Sequence, residues 1–289
     1  MAHIHVRPVG RISHDETCFT EGLVFHDNNL YESCGLYGNS SIRVVDSFGN
    51  IVLKRDIMDE FFVEGITIHD GRLFVSTWEN KTMLIFDVDG LHLLGSRLFE
   101  SSTGFGWGLT NDGVSLILSD GSNVLSFFDF PDDSLSFEGE HLFRRKQLSV
   151  VDGGKPLRAI NELEFVDGYI YANVWMQDFI VQIDSAGRVV SKFDFGPYAP
   201  PPPIQEGKGS MHSLAREACM NGVAFNTSHS NPAAAARFIV TGKLWPQYYT
   251  VELSTYTVSD SARTGMERMI VFMIGAVIYI TFKAFHKIV

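Results

Sequence analysis

Gly22-Leu-Val-Phe-His-Asp-Asn-Asn-Leu-Tyr-Glu-Ser33 is the first of three segments that align without gaps and begin 43 residues apart. The other two are Gly65-Ile-Thr-Ile-His-Asp-Gly-Arg-Leu-Phe-Val-Ser76 and Gly108-Leu-Thr-Asn-Asp-Gly-Val-Ser-Leu-Ile-Leu-Ser119. A fourth copy begins at Glu162, and a fifth, interrupted copy begins at Gly222. A period of about 40 to 50 residues is typical of proteins built from stacked supersecondary units.

Within each repeat, short stretches with strand-like alternation follow one another. In the second repeat the sequence predicts four strands, separated by turn sequences, at Gly65–His69, Arg72–Thr77, Thr82–Asp87 and His92–Phe99. Four antiparallel strands repeated around an axis form a propeller blade. The five copies therefore predict an all-β protein, a five-bladed β-propeller. A linear β-solenoid is the alternative, but it would require shorter repeats with small residues at the corners.

The first residues of the chain are predicted to close the ring. The fifth repeat supplies only three strands before Leu253. His3 to Ile12 can supply the missing outer strand, which removes an exposed edge. We therefore expect residues 1–14 to complete the last blade and residues 15–253 to form the propeller.

An apolar segment lies at the C-terminal end. Met269 to Phe282 is an uncharged run of 14 residues, shorter than the ~20 that a spanning helix needs. Lys283 and Lys287 can snorkel, which lets the apolar stretch extend to the C-terminus. Residues 269–289 are predicted to form a transmembrane helix that anchors the protein, with residues 254–268 as a tether. A helix packed on the domain or on another chain is disfavoured, because the run is apolar on all sides.

Composition excludes several classes of function. The formal net charge of −11 argues against a nucleic-acid partner, which would require a basic stripe. The three cysteines, Cys18, Cys34 and Cys219, are too few for a disulfide framework or a zinc site. We expect reduced thiols, with a Cys18–Cys34 bridge as the alternative, and we expect neither a metal nor a cofactor.

Aligning the repeats reveals positions at which the copies differ in chemistry. The first set contains the residue immediately before each of the five blade starts: Glu21, Glu64, Trp107, Asn161 and Asn221. The second set contains the residue just beyond the second strand of each blade: Gly35, Trp78, Gly121, Trp175 and Lys243. Equivalent positions in a ring converge on its axis, where loops surround a pocket. The sequence predicts an aromatic pocket there, with acid, amide and amine groups.

Several ordered motifs resemble one enzyme family. They include Phe19-Thr-Glu-Gly-Leu23, Tyr31-Glu-Ser-Cys-Gly-Leu-Tyr-Gly38, Phe62-Val-Glu-Gly-Ile-Thr67, Gly106-Trp-Gly-Leu-Thr110, Asn161-Glu-Leu-Glu164, Tyr171-Ala-Asn-Val-Trp175 and Thr241-Gly-Lys-Leu-Trp-Pro246. Over residues 15 to 253 the chain resembles the plant and bacterial type of glutaminyl-peptide cyclotransferase. That family has five-bladed propellers, and it converts N-terminal glutamine to pyroglutamate with release of ammonia.

The resemblance implies roles for individual residues. Glu64 matches the family's catalytic acid, and Asn161 and Lys243 match its polar partners. The implied pocket-lining residues are Trp78, Trp107 and Trp175, and we also expect Glu21, Phe19 and Glu162 to bind the substrate. The implied partner is a peptide or protein with N-terminal glutamine, bound by a monomeric catalytic domain.

The chemistry of cyclisation agrees with these roles. The substrate's own α-amine attacks its γ-carboxamide, so the protein must supply a proton acceptor that later becomes a donor. One carboxylate, Glu64, can do both. Lys243 or the Asn161 amide can stabilise the developing oxyanion. Because the nucleophile belongs to the substrate, neither a Ser-His-Asp set nor a zinc site is needed.

One residue departs from the family pattern. Where the family usually has glutamine in its Phe-Thr-Gln-Gly-Leu motif, this chain has Glu21. If Glu21 and Glu64 both approach the axis, their repulsion should hold one proton between them and raise an apparent pKa. Glu162 follows Asn161 and is a candidate to support the same pocket.

Two other functions remain open on the sequence alone. A propeller glycosidase would use paired acids and tryptophans, but it needs acids that face one another across the pocket, and Glu21 and Glu64 lie on adjacent blades. A non-catalytic propeller that binds N-termini is the other alternative.

The sequence gives conflicting indications of compartment. No signal peptide is evident in Met1 to Ser13. Potential glycosylation sites nevertheless begin at Asn39, Asn80 and Asn226. We expect membrane association through the C-terminal anchor, with the propeller either in the cytosol or in the secretory pathway.

Overall fold

The computed structural model describes residues 2–132, 139–200, 217–226 and 237–253. All regular secondary structure in these ranges is β. Met1–Leu253 is one compact unit, and the predicted tether and anchor lie outside the described residues. In the ranges that are described, no helix has the length and apolar character needed to cross a membrane.

The strands of these ranges are numbered in chain order. They are β1 Ala2–His5, β2 Arg7–Ser13, β3 Thr20–His26, β4 Asn29–Cys34, β5 Ser41–Val45, β6 Ile51–Asp56, β7 Val63–His69, β8 Arg72–Thr77, β9 Thr82–Asp87, β10 Leu93–Leu98, β11 Leu109–Asn111, β12 Ser115–Leu118, β13 Val124–Asp129, β14 Arg144–Ser149, β15 Val151–Asp152, β16 Lys155–Pro156, β17 Ile160–Val166, β18 Tyr169–Val174, β19 Phe179–Ile183, β20 Val189–Asp194, β21 Met220–Phe225, β22 Arg237–Gly242 and β23 Gln247–Glu252.

Five sheets form the blades of a propeller, as the repeats predicted. Blades one, two and three are the antiparallel sheets β3 to β6, β7 to β10 and β11 to β14. Blade four contains β17 to β20, and blade five contains β21 to β23. In every blade the first strand is innermost. The four strands predicted for the second repeat are confirmed to within two residues at each end.

The N-terminal residues close the ring with two strands rather than one. β2 pairs antiparallel with β23 and completes blade five. β1 pairs in parallel with β20 and extends blade four to five strands. The prediction of one strand from His3 to Ile12 was therefore wrong in detail, although ring closure is confirmed. Val6, between the two strands, is buried in the core of blades four and five.

The repeated glycines mark the points where the innermost strands of neighbouring blades meet. A Cβ added to Gly22 would lie 2.6 Å from the backbone nitrogen of Ile66. Additions at Gly65 and Gly108 would clash in the same way with the backbone of the next blade. Glycine therefore recurs every 43 residues because these positions near the ring axis have no room for a side chain.

Serine side chains join each of the first three blades to the blade that follows it. Ser33, Ser76 and Ser119 end the three aligned repeats, and each hydroxyl donates a hydrogen bond to a carbonyl oxygen of the following blade. The acceptors are the carbonyls of Glu64, Trp107 and Asn161 respectively. Residues of the predicted pocket are thus held by the preceding blade.

A disulfide bond joins Cys18 to Cys34. The expectation of reduced thiols was wrong for this pair and stands for Cys219, which is a buried free thiol. Thr20 pairs with Cys34 across the first hairpin, so Cys18, two residues earlier, is brought to the same strand end. The Cα atoms are 5.1 Å apart, a usual distance for a bridge.

Candidate active site

A cavity of about 340 Å³ opens at one end of the central channel. Its lining combines aromatic side chains with three carboxyl groups, one amide and one ammonium group. The lining residues are Phe19, Glu21, Leu36, Phe62, Glu64, Trp78, Trp107, Asn161, Trp175, Glu217 and Lys243. Of the nine predicted site residues, eight line this cavity, and Glu162 does not.

Local irregularities of the innermost strands direct the site residues. In four blades the pairing of the first two strands shifts register at the blade-start position. The first blade shifts between Thr20 and Gly22, which isolates Glu21. The second shifts between Val63 and Ile66, which isolates Glu64. A β-bulge turns a side chain away from the regular alternation of the strand, here into the channel.

An ion pair occupies the floor of the cavity. Lys243 Nζ lies 2.7 Å from Glu21 Oε1, and both side chains are buried. Asn221 Nδ2 donates to the other oxygen, Oε2, at 2.9 Å. Lys243 Nζ also lies 4.3 Å from the centre of the Phe19 ring, at cation–π distance.

Of the two carboxyl groups Glu21 and Glu64, Glu64 holds a proton more readily. Burial, together with the negative charge of Glu21, raises the pKa of Glu64 well above its usual range. Burial also raises the pKa of Glu21, but the Lys243 ammonium opposes that rise. Within the described part of the chain Glu64 has no ion-pair contact, whereas Glu21 has one at 2.7 Å. We therefore place the shared proton on Glu64 and the negative charge on Glu21.

Lys243 remains charged in this environment. Burial lowers the pKa of Lys243, but the carboxyl groups of Glu21 and Glu64 more than compensate and raise it overall. An ammonium group has three donors, and Glu21 accepts from one of them. Lys243 can therefore also donate to a bound molecule.

Asn161 presents an acceptor to the cavity. Its Nδ2 donates to Asn221 Oδ1 at 3.3 Å, and its buried Oδ1 has no hydrogen-bond partner in the described structure. A buried unsatisfied oxygen is costly. An N–H group of a bound ligand would satisfy it.

The tryptophans form two walls. Trp107 and Trp175 meet edge to face, with ring centres 6.0 Å apart. Trp78 packs against Phe62 on the other side, at 5.6 Å. Gly121 makes room for one wall, because an added Cβ would lie 2.7 Å from the Trp107 indole. Among the positions just beyond each second strand, Gly121 thus leaves the space that the Trp107 indole fills.

Glu162 lies away from the cavity and binds backbone. Its two carboxyl oxygens accept from Leu23 N at 3.2 Å and from Val223 N at 2.8 Å, in blades one and five. Burial, and then the charge of Glu164, raise the pKa of Glu162 well above the usual range. Burial raises the pKa of Glu164 to about 8. Glu162 joins three blades on the axis, so the described contacts give it a structural position.

Three lining residues were missed by the sequence analysis. Phe62 precedes Glu64 by two positions, as Phe19 precedes Glu21, so the repeat register could have identified it. Leu36 follows Gly35 in a turn whose direction the sequence does not show. Glu217 lies outside the aligned repeats, and no sequence signal marks it.

Comparison with known proteins identifies the family of this chain. A sequence model described as glutamine cyclotransferase matches residues 1–253. The chain belongs to the glutamine cyclotransferase family. A glutaminyl-peptide cyclotransferase of Arabidopsis thaliana is 30% identical over 268 residues, which cover 90% of this chain and 73% of that relative. The family resemblance found in the motifs is therefore confirmed.

A solved glutamine cyclotransferase family structure has the same architecture. The crystal structure of Myxococcus xanthus glutaminyl cyclase matches this chain with a TM-score of 0.69 and 25% sequence identity. The match covers 89% of this chain and 100% of that one. The five-bladed arrangement is thus shared with an enzyme of the family.

Proposed function

We propose that this chain is a glutaminyl-peptide cyclotransferase that converts N-terminal glutamine to pyroglutamate and releases ammonia. The observation that carries the proposal is Glu64, a buried carboxyl of raised pKa in an aromatic cavity beside the Glu21–Lys243 ion pair. Membership of the glutamine cyclotransferase family supports the same reaction.

Glu64 carries the proton in both halves of the reaction. In its ionised form it removes a proton from the substrate's α-amine as the amine nitrogen bonds to the γ-carbonyl carbon. It then gives that proton to the γ-amide nitrogen as the bond from that nitrogen to carbon breaks, which yields ammonia and the lactam. A carboxyl group whose pKa is raised toward neutrality is suited to both steps.

Lys243 and Asn161 orient the glutamine. A free hydrogen of the Lys243 ammonium can donate to the γ-carbonyl oxygen, where negative charge develops. Asn161 was expected to be a possible donor; one of its two amide hydrogens is already donated to Asn221, whereas its oxygen has no partner in the described structure. Its free oxygen is better suited to accept a hydrogen from the α-amine. The tryptophan walls then hold the methylene groups in a folded, reactive conformation.

The glycosidase alternative has little support from the geometry. Glu21 is held by Lys243 and Asn221 on the blade adjacent to that of Glu64. The two carboxyl groups are also close enough to interact strongly with one another. Glu21 and Glu64 therefore do not form a pair of acids on two sides of a sugar.

Ammonia release from a peptide with N-terminal glutamine tests the proposal. The wild-type protein should release one ammonia per peptide, and Glu64→Gln should lower the rate by at least about 100-fold, a usual contribution of general acid–base catalysis. Exposed Glu60, which does not line the cavity, provides the matched control Glu60→Gln. A Glu64→Gln variant of wild-type rate would refute the assigned role. A wild-type protein that bound the peptide without releasing ammonia would be a non-catalytic binder.

We also propose that residues 269–289 anchor the propeller to a membrane. The uncharged run from Met269 to Phe282, flanked by Arg268 and Lys283, supports this placement. The Cys18–Cys34 disulfide supports a propeller in an oxidising compartment. The potential glycosylation sites at Asn39 and Asn80 are exposed, which agrees with that side of the membrane.

A further inference from the structure

Aromatic side chains continue from the cavity onto the surface of the propeller. Tyr37, Phe62, Trp78 and Phe105 form a contiguous set, here called the aromatic ridge. The ring centres of Tyr37 and Phe62 are 5.5 Å apart, and those of Phe62 and Trp78 are 5.6 Å apart. Trp78 and Phe105 follow at 5.8 Å. Phe62 and Trp78 line the cavity, whereas Tyr37 and Phe105 lie outside its lining.

Tyr37 stands on a fixed turn at one end of the ridge. Ser40 Oγ donates to the carbonyl of Leu36 at 3.1 Å and accepts from Leu36 N at 3.2 Å, and Asn39 N donates to the same carbonyl. The Tyr37 hydroxyl donates to Glu79 Oε2 at 3.2 Å. Although its position is fixed, Tyr37 remains 44% exposed. An ordered aromatic side chain with this much exposed surface can bind a ligand at little entropic cost.

Phe105, at the other end, is also held by its loop. The Asp120 carboxylate accepts from the backbone nitrogens of Ser102 and Thr103. Ser101 Oγ donates to the carbonyl of Phe105 at 2.6 Å. The ridge therefore has two ordered ends and does not depend on a ligand for its shape.

We propose that the aromatic ridge binds the side chain of the residue that follows the N-terminal glutamine, and that it selects apolar, above all aromatic, side chains. This inference rests on the proposed function. Glu64 and Asn161 lie in the cavity and engage the glutamine, so the next residue of the peptide must leave through the cavity mouth. The ridge begins in the cavity lining and extends past that mouth.

The chemistry of the ridge favours an apolar partner over a basic one. All four members present ring faces or edges, which gain most from burial against another aromatic group. The nearby carboxylate of Glu79 already accepts from the Tyr37 hydroxyl. Glu217, another carboxyl group that could attract a basic residue, lines the cavity itself rather than the ridge.

Three peptides that differ only in the second residue test the ridge: Gln-Phe, Gln-Ala and Gln-Lys with a common remainder. We expect kcat/KM to be about tenfold higher for Gln-Phe than for Gln-Ala, and Tyr37→Ala to reduce this ratio fivefold or more, as the loss of an aromatic contact and its buried area implies. Tyr169 is a matched control, because it is 37% exposed and begins β18 at the opposite end of the inner hairpin. Tyr169→Ala should leave the ratio unchanged.

Binding separates this inference from the proposed function. Tryptophan fluorescence of the Glu64→Gln variant, with and without Tyr37→Ala, measures peptide affinity without turnover. A Gln-Phe preference lost with Tyr37→Ala supports the ridge even if the wild-type protein releases no ammonia. An unchanged ratio in both assays overturns the ridge. So does a preference for Gln-Lys that Glu79→Gln abolishes, because recognition would then be by charge.

Discussion

At the scale of single residues, Glu21 gives this site an unusual charge balance. The related motifs usually have glutamine at this position, which carries no charge. Here the carboxylate forms an ion pair with Lys243 and faces Glu64. The Lys243 charge is therefore partly neutralised, and the proton on Glu64 is held more tightly. Both effects act on the group that has to lose its proton before the reaction can begin.

Replacing Glu21 with glutamine should move the pH–rate profile. Glu64 acts first as a base, so the rate rises as the pH rises through the pKa of Glu64. Glu21 helps to raise that pKa, so Glu21→Gln should lower it and shift the acid limb of kcat/KM to lower pH. The freed Lys243 ammonium adds to the shift, because its charge favours ionised Glu64.

The pH–rate profile of ammonia release, recorded for the wild type, Glu21→Gln and the control Glu60→Gln, measures this shift. Thermal melting of each variant shows that it is folded. An acid limb that stays in place in Glu21→Gln, with the protein intact, would contradict the coupling of the two carboxyl groups.

Sequence alignment found most of the site because the site lies where the repeats differ. Glu21 and Glu64 occupy one set of equivalent positions in the ring and Lys243 occupies another, and both sets converge on the axis whatever the details of packing. Glu162 was expected at the cavity but does not line it. It aligns with the repeated glycines, whose positions lie against the backbone of neighbouring blades. The Cys18–Cys34 bridge depends on strand pairing, which a count of cysteines does not reveal.

At the scale of secondary-structure elements, three of the links between neighbouring blades are hydrogen bonds from serine side chains. Ser76 is the penultimate residue of β8, and its hydroxyl donates to Trp107 O at 2.7 Å, with Gly65 O also nearby at 3.1 Å. Trp107 is a wall of the cavity. One blade thus positions an aromatic side chain of the next.

Ser76→Ala should lower both stability and substrate affinity. A buried hydrogen bond of this kind contributes about 1 kcal/mol, and somewhat more when an acceptor is left unsatisfied. Loss of the contact also removes one of the hydrogen bonds that hold the Trp107 backbone, while those to Gly65 N and Ser119 O remain, so KM for a Gln-peptide should rise modestly. Ser41 is the control, because it is equally buried but its hydroxyl has no hydrogen-bond partner in the structure described. Chemical denaturation and initial rates should show Ser41→Ala close to wild type. Equal effects of the two substitutions would show that the link from Ser76 contributes nothing.

The strands themselves were predictable, whereas some of their pairings were not. Alternation and turn residues located the second blade to within two residues. The register shifts at Glu21 and Glu64 follow from crowding at the axis, which becomes evident only in three dimensions. The parallel pairing of β1 with β20 joins segments that are far apart in sequence and share no motif.

At the scale of the whole molecule, the family match ends at residue 253, and the proposed anchor follows it. Deletion of residues 269–289 should therefore move the protein from the membrane pellet to the supernatant and leave ammonia release per molecule unchanged. Deletion of the polar residues 254–268 instead should leave it in the pellet. Sedimentation of cell extracts, with activity measured in both fractions, tests this. A protein that still sediments after loss of residues 269–289 would show that the apolar segment is not the anchor.

Blade five also determines when the ring can be completed during synthesis. β2 is synthesised long before its partner β23, which ends at Glu252. At the usual speed of translation, β2 waits without a partner for on the order of tens of seconds. Its sequence suits the delay: Arg7, Pro8 and Arg11 are residues that keep an unpaired strand from joining other chains. The nascent protein therefore carries the strand that completes blade five well before that strand can pair, in a form that resists premature aggregation.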